Sequence, residues 1–139
     1  MAHKVETNWK KGMAFESITE SGTVMLDAGE AVGGNDAGLR PKSLMLVALA
    51  GCTAMDVASL FAKMRAEPDD FAVNISAELT DKHPKIYKNV KIEYKFWGKD
   101  LKKDKLEKAV NLSLSRYCGV TAMFNSFSEV SSEIIYIEN

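Results

Sequence analysis

The chain has 139 residues, of which 46% are hydrophobic and 27% charged, and its formal net charge is -1. Its length and composition are those of one globular domain, which we predict to span residues 1–139. Acidic and basic residues are interspersed and no basic stripe occurs, so the sequence favours neither a nucleic-acid partner nor an electrostatic membrane partner. The N-terminal residues hold no apolar segment of the signal-peptide type. We therefore expect a cytoplasmic protein whose two cysteines are free thiols or a redox pair.

Three short strands are predicted at the start of the chain. Alternating side-chain character and intervening turn residues place them at Val5–Lys10, Met13–Thr19 and Thr23–Ala28, an order typical of a meander. The segment Gly29–Arg40 contains four glycines and lacks a phosphate-binding pattern, which favours a loop or the rim of an active site.

The longest apolar run, Pro41–Ala66, is predicted to form one helix. Proline is favoured in the first turn of a helix, and Pro68 prevents its continuation. Because Leu44–Ala50 is apolar around most of the circumference, we expect a buried core helix rather than a membrane span. Gly51 costs about 1 kcal/mol relative to alanine inside a helix, so we expect a compensating contact, with close packing beside Cys52 as the candidate.

The second half of the chain alternates strands and helices. Phe71–Thr80 and Val90–Trp97 predict an antiparallel strand pair with one covered face each, and Ser131–Glu138 predicts a final strand. Between them, Asp104 followed by Glu107 fits the capping box of a second helix.

That second helix carries one stripe of core residues. The stripe comprises Leu106, Ala109, Val110, Ser113 and Tyr117. Cys118 and Gly119 interrupt the helix, and Val120–Ser126 predicts a third one. The predicted order is βββ-α-ββ-α-α-β, an α+β fold with a long central helix packed against antiparallel sheet.

Cys52 lies in the middle of the long helix. Asp56 is one turn further on the same face, and a lone carboxylate there would raise the pKa of the thiol. Cys52 would need a cation from elsewhere to act as a nucleophile. The residues alone favour an inert core thiol, because cysteine is among the most frequently buried residue types.

Cys118 has two interpretations that the residues leave open. In the first, Cys118 lies in the first turn of the third helix, whose amides would lower the pKa of its thiol. In the second, it is simply a small residue packed at a tight junction. His3 and His83 do not form a short-spaced pair with either cysteine, so we predict no metal site and no cofactor.

The two cysteine segments together resemble the OsmC/Ohr family of osmotically inducible and organic-hydroperoxide-resistance proteins. The first segment is RPKSLMLVALAGCTAMDV, in which Cys52 follows Pro41 by eleven residues, as in the family. The second is LSLSRYCGVTAMF, with Cys118 placed 66 residues after Cys52. The order of strands and helices also fits, so the resemblance covers essentially the whole chain.

The resemblance implies an intertwined homodimer with its long helices at the centre and two active sites at the interface. It implies a peroxidase of the oxidative stress response that reduces organic hydroperoxides. Cys52 would be the peroxidatic thiolate that becomes a sulfenic acid, and Cys118 would resolve it as a disulfide. An external dithiol reductant would complete the cycle.

The sequence departs from that pattern at the residues that activate the thiolate. The family's peroxidases place a glutamate ten residues before the first cysteine, where this chain has Lys42. The arginine that this glutamate holds has no counterpart in the first strands, where Lys10 and Lys11 are the cations. Arg40 and Arg116 are further candidates, and Asp56 could pair with such a cation.

Two other functions therefore stay open beside the peroxidase. One is a non-catalytic or redox-sensing dimer that binds a small hydrophobic ligand. The other is a structural protein in which both cysteines are core residues.

Overall fold

The computed structural model describes all residues from Met1 to Asn139 and has the element order βββ-α-ββ-α-α-β. The α+β class and the predicted order are thus confirmed. The chain divides into two compact units, Met1–Met45 and Leu46–Asn139, and we describe each by itself. Whether they form a single domain stays a prediction.

The first unit is built on an antiparallel meander, as predicted. Its strands pair in the order β1-β2-β3, with Glu6 opposite Ile18 and Phe15 opposite Leu26. The strands are β1 (Glu6–Trp9), β2 (Phe15–Thr19) and β3 (Gly22–Leu26).

The loop after β3 is confirmed, and it is held by a buried carboxylate that the sequence did not reveal. Asp27 accepts hydrogen bonds from the amides of Ala28 at 2.7 Å, Asn35 at 3.2 Å and Ala37 at 3.1 Å. A side chain on Gly34 would overlap the Ala28 carbonyl, so only glycine fits there. The glycines of this loop therefore allow a close approach of two backbone segments.

The long helix, α1 (Pro41–Met64), begins at the predicted proline and ends two residues before the predicted Ala66. Arg65 adopts a left-handed conformation with φ of 53°, and the Ala66 amide donates to the Phe61 carbonyl at 2.9 Å. The helix is thus closed by a left-handed residue of the kind that commonly ends helices, before Pro68 is reached.

The prediction that α1 is buried on several sides is wrong for the single chain. Its buried residues form one stripe at four-residue spacing: Leu49, Thr53, Val57 and Phe61. Val47 is 59% exposed and Met55 75% exposed. At Gly51, nothing lies within 4 Å of where a Cβ would be, so the chain alone brings no neighbour close to this glycine. The chain alone leaves one apolar face of α1 uncovered.

By length and composition alone, α1 is long and apolar enough to cross a membrane, a property that core helices of soluble proteins share. This finding is weak evidence for a span.

The second unit contains a three-stranded sheet in the order β4-β5-β6. The predicted pair β4–β5 is antiparallel, whereas β6 lies parallel to β5. The strands are β4 (Asp70–Leu79), β5 (Tyr87–Gly98) and β6 (Val130–Glu138). β5 has one covered face, as predicted, and the side chains on that face are fully buried: Val90, Ile92, Tyr94 and Phe96.

Two shorter helices complete this unit: α2 (Lys103–Leu112) and α3 (Gly119–Asn125). The predicted capping box is wrong, because the N-cap of α2 is Lys102, which makes no side-chain cap bond. Asp104 lies instead in the first turn, where the helix dipole favours a carboxylate.

A π-helical turn, Ser113–Tyr117, follows α2 and was not predicted. It changes the helical phase, so Ser113 stays buried with the α2 stripe while Tyr117 is 53% exposed. The placement of Tyr117 on the buried stripe is therefore wrong.

Candidate functional site

The two cysteines and Asp56 meet in the second unit. The sulfur atoms of Cys52 and Cys118 and a carboxylate oxygen of Asp56 all lie within 4.8 Å of one another. Cys52 and Asp56 are partly buried, and Cys118 is 4% exposed. Both cysteines are free thiols. Residues 66 positions apart in the sequence thus form one local site.

Cys118 is the N-cap of α3, which agrees with the predicted helix break. Its backbone is extended, with φ of -80° and ψ of 99°, and its sulfur accepts a hydrogen bond from the Thr121 amide at 3.3 Å. Its own amide donates to the Ser113 carbonyl at 2.8 Å, five residues back. The π-helical turn and the α3 cap therefore fix the direction of this side chain.

The surroundings of Cys52 favour its neutral thiol over the thiolate. Burial raises the pKa of the Cys52 thiol, and its hydrogen bond to Cys118 raises the pKa further. The Val120 amide opposes this by favouring the thiolate, and the negative charge of Asp56 adds a smaller increase. The expected effect of Asp56 on the thiol thus has the predicted sign, with burial as the larger cause.

A chain of buried hydroxyl groups lies behind Asp56. The Thr53 hydroxyl is 2.7 Å from the Tyr94 hydroxyl and 2.8 Å from that of Ser113. Ser113 donates to a carboxylate oxygen of Asp56 at 2.9 Å. Three fully buried hydroxyls therefore orient the carboxylate that faces Cys52.

The sequence did not predict the contacts among these three hydroxyls. A signal existed, because Thr53 and Ser113 are polar residues within apolar helical stripes. A polar group at such a position needs a hydrogen-bond partner, although the sequence does not show which one.

The cations proposed from the first unit have other partners. Arg40 pairs with Asp36 at 2.6 Å and donates to the Gly38 carbonyl at 3.0 Å. The Lys11 ammonium lies over the Trp9 ring at 4.9 Å. These contacts account for both side chains within their own unit.

The second unit brings no cation to the thiols either. The Arg116 guanidinium lies over the Tyr117 ring at 5.5 Å, and none of the ion pairs in the structure includes Asp56. The groups that shift the pKa of Cys52 include no cationic side chain. The first turn of α1, which contains Lys42, has no acidic residue. The activating pair of the peroxidases is therefore not reproduced in this chain.

An open cavity of about 380 Å³ lies beside the carboxylate. Its lining residues are Asp56, Ser59, Leu60, Lys63 and Tyr117. A small molecule or water can therefore approach the site from this side.

Known proteins of similar sequence support a family assignment. The family model described as "OsmC-like protein" matches residues 33–133. Protein YhfA of Escherichia coli K12 is 29% identical over 120 residues, which cover 86% of this chain and 87% of YhfA.

Two solved structures extend the comparison to the whole chain. A hypothetical protein from Aquifex aeolicus is 30% identical, with a TM-score of 0.81 and 98% of each chain covered. An organic hydroperoxide resistance protein OsmC from Legionella pneumophila shares the fold at 14% identity, with a TM-score of 0.72 and 97% of each chain covered. The chain belongs to the OsmC-like protein family.

Proposed function

We propose that this protein is a thiol-dependent peroxidase that reduces organic hydroperoxides with Cys52 and Cys118. The observation that carries the proposal is the convergence of the two sulfurs within 4.8 Å in an OsmC-like chain. The Legionella neighbour is named for organic hydroperoxide resistance, which supports the same substrate class here.

The reaction uses both thiols. The Cys52 thiolate attacks the terminal oxygen of the hydroperoxide, the O–O bond breaks, and the alcohol leaves after it takes up a proton. The resulting sulfenic acid is attacked by Cys118, which forms the disulfide and releases water. Two thiols and one hydroperoxide thus yield a disulfide, an alcohol and water. An external dithiol then reduces the disulfide by exchange.

The local groups define how the thiolate forms. The raised pKa of Cys52 keeps it protonated near neutrality, and the Val120 amide is the group that stabilises its anion. We therefore expect the rate to increase with pH above neutrality, since the thiolate is the nucleophile.

The test is peroxide treatment of the reduced protein, with cumene hydroperoxide as substrate and mass analysis without reductant. We expect a Cys52–Cys118 disulfide, and turnover when a dithiol is supplied. Cys118→Ser should stop at a Cys52 sulfenic acid that dimedone traps, while Cys52→Ser should not react. Equal peroxide consumption by Cys52→Ser and the wild type would refute the proposal.

A second candidate function is a redox-sensing or ligand-binding dimer without turnover. Lys42 in place of the family glutamate and the lack of a cation at Cys52 favour it. This alternative predicts that peroxide forms the disulfide slowly and that dithiol does not sustain turnover. A small hydrophobic ligand would then be recognised beside the same thiols.

We further propose that the protein is a cytoplasmic homodimer joined through the exposed apolar face of α1. A buried partner surface is expected there, because Val47 and Met55 are exposed on an apolar helix. Val47→Glu should convert the dimer to a monomer in light scattering. Ile86→Glu, at an exposed position before β5, is the matched control and should leave the dimer intact.

A further inference from the structure

The Cys52–Asp56–Cys118 group has the donor set of a zinc site. Thiolate sulfur and carboxylate oxygen are both ordinary zinc ligands, and their atoms lie about 3.5–3.8 Å apart around a tetrahedral ion. The three donor atoms here already lie within 4.8 Å of one another. Side-chain movements of about 1 Å would bring them to zinc-binding distances.

The charges around these donors also favour a cation. All three groups are neutral or anionic, and no ion pair in the structure involves Asp56. The Arg116 guanidinium, a candidate partner from the sequence, lies over the Tyr117 ring. Lys63 lines the same cavity as Asp56 but forms no ion pair with it. A divalent ion would therefore neutralise donors with which no basic side chain of the chain is paired.

The hydroxyl chain behind Asp56 provides the outer hydrogen bond that zinc-binding carboxylates usually have. One carboxylate oxygen accepts from Ser113 at 2.9 Å, and Thr53 connects Ser113 to Tyr94. These three hydroxyl-bearing side chains are fully buried, so they fix the Asp56 carboxylate. The second oxygen of that carboxylate stays available for an ion.

We propose that the reduced protein binds one Zn²⁺ per chain through Cys52, Cys118 and Asp56. Three protein ligands leave a fourth position, which a water from the cavity lined by Ser59 and Lys63 can fill. This site goes beyond the proposed peroxidase activity, because binding requires reduced thiols and no peroxide. Formation of the Cys52–Cys118 disulfide would remove two of the ligands.

The experiment titrates the untagged, reduced protein with Co²⁺ under anaerobic conditions and then displaces Co²⁺ with Zn²⁺. We expect one ion per chain, sulfur-to-cobalt charge-transfer absorption in the near ultraviolet, and intense visible bands of tetrahedral Co²⁺. Zn²⁺ affinity is measured by competition with a chromogenic chelator.

The variants assign the ligands. Cys52→Ser and Cys118→Ser should each lose the charge-transfer absorption or reduce it by about half, because each removes one of two sulfur ligands. Asp56→Asn should weaken Zn²⁺ binding, and Ser113→Ala should weaken it by about 10–100-fold, as expected for an outer-shell partner. The matched control Asp104→Asn, which removes a carboxylate from α2, should bind as the wild type does.

Circular dichroism and the urea midpoint verify that each variant is folded. The proposal is overturned if the folded wild type binds no ion, or if folded Cys52→Ser and Cys118→Ser bind Zn²⁺ as tightly as the wild type. Peroxide turnover is measured separately on metal-free protein, so failure of zinc binding and failure of the peroxidase are distinguishable.

Discussion

Removal of the Thr53 hydroxyl tests whether the buried hydrogen bonds among Thr53, Tyr94 and Ser113 stabilise the fold. Thr53→Val keeps the shape of the side chain and removes its contacts with Tyr94 at 2.7 Å and Ser113 at 2.8 Å. All three side chains are fully buried. Ser113 retains its bond to Asp56, whereas the Tyr94 hydroxyl loses its hydrogen-bond partner.

The expected magnitude follows from this asymmetry. A buried hydroxyl left without a partner costs about 1–3 kcal/mol, and a lost hydrogen bond costs about 0.5–1.5 kcal/mol net. We therefore expect Thr53→Val to lower the free energy of unfolding by about 2–4 kcal/mol. Tyr94→Phe leaves Thr53 bonded to Ser113, so it should cost only about 0.5–1.5 kcal/mol.

The double variant is the informative one. Thr53→Val with Tyr94→Phe removes both members of the pair and leaves no orphaned phenol. It should be more stable than Thr53→Val alone by about 1–2 kcal/mol, a clear departure from additivity.

Urea unfolding followed by circular dichroism provides the measurement. With a slope of about 2 kcal/mol per molar urea, Thr53→Val should lower the midpoint by about 1–2 M. Protein concentration is held constant because association changes apparent stability. A Thr53→Val midpoint equal to that of the wild type, or a double variant less stable than the sum of the singles, would contradict the reasoning.

Three further predictions concern titratable groups. The hydrogen bond to Cys118 raises the pKa of Cys52, so Cys118→Ala should lower that pKa and speed the alkylation of Cys52 by iodoacetamide near pH 8. An unchanged dependence of the alkylation rate on pH would show that this contact does not affect the Cys52 pKa. Burial raises the pKa of Tyr94 from 10.0 to about 12, so the unfolded chain loses this proton first and stability should fall as pH increases from 10 towards 12; urea midpoints across this range should decline less for Tyr94→Phe. Backbone amides lower the pKa of Asp27 below 3.8, so the stabilisation from this carboxylate is present above pH 3.8 and is lost as the pH falls towards the folded-state pKa. Asp27→Asn should therefore destabilise the protein at neutral pH and make its stability fall less steeply with acid than that of the wild type. Equal steepness for the variant and the wild type would rule out this role.

The sequence was most informative where one local rule acts alone. Pro41 begins α1 as predicted, because proline tolerates a first helical turn whatever the surroundings. The β5 alternation identified its buried face, since side chains along a strand point to opposite sides. The convergence of Cys52 and Cys118 was expected from the family resemblance rather than from the spacing of the residues.

The failures arise where a tertiary contact or a neighbouring segment decides the outcome. Arg65 ends α1 through a left-handed backbone that no strong sequence signal marks. Asp104 matched a capping box, yet the helix begins at Lys103, because capping patterns do not fix a helix boundary. The partners of Thr53 lie in β5 and after α2, so the pattern of no single segment identifies them.

The uncovered face of α1 has a related explanation. A helix that is apolar around most of its circumference needs most of its surface covered, but the sequence does not show whether the same chain or a partner covers it. The exposure of Val47 shows that the single chain covers only one stripe.

The π-helical turn Ser113–Tyr117 has a consequence for how this site tolerates changes in chain length. Each residue of an α-helix advances the side-chain direction by about 100°, and the wider turn is closed by the bond from the Cys118 amide to the Ser113 carbonyl, five residues back. Deletion of one residue from the turn would restore an ordinary helix and rotate the following thiol away from Cys52. A substitution in the turn changes only the local packing. An insertion or deletion there rotates every following side chain of the helix about its axis. Sequence length between Ser113 and Cys118 is therefore under tighter constraint than the identity of the exposed residues within it.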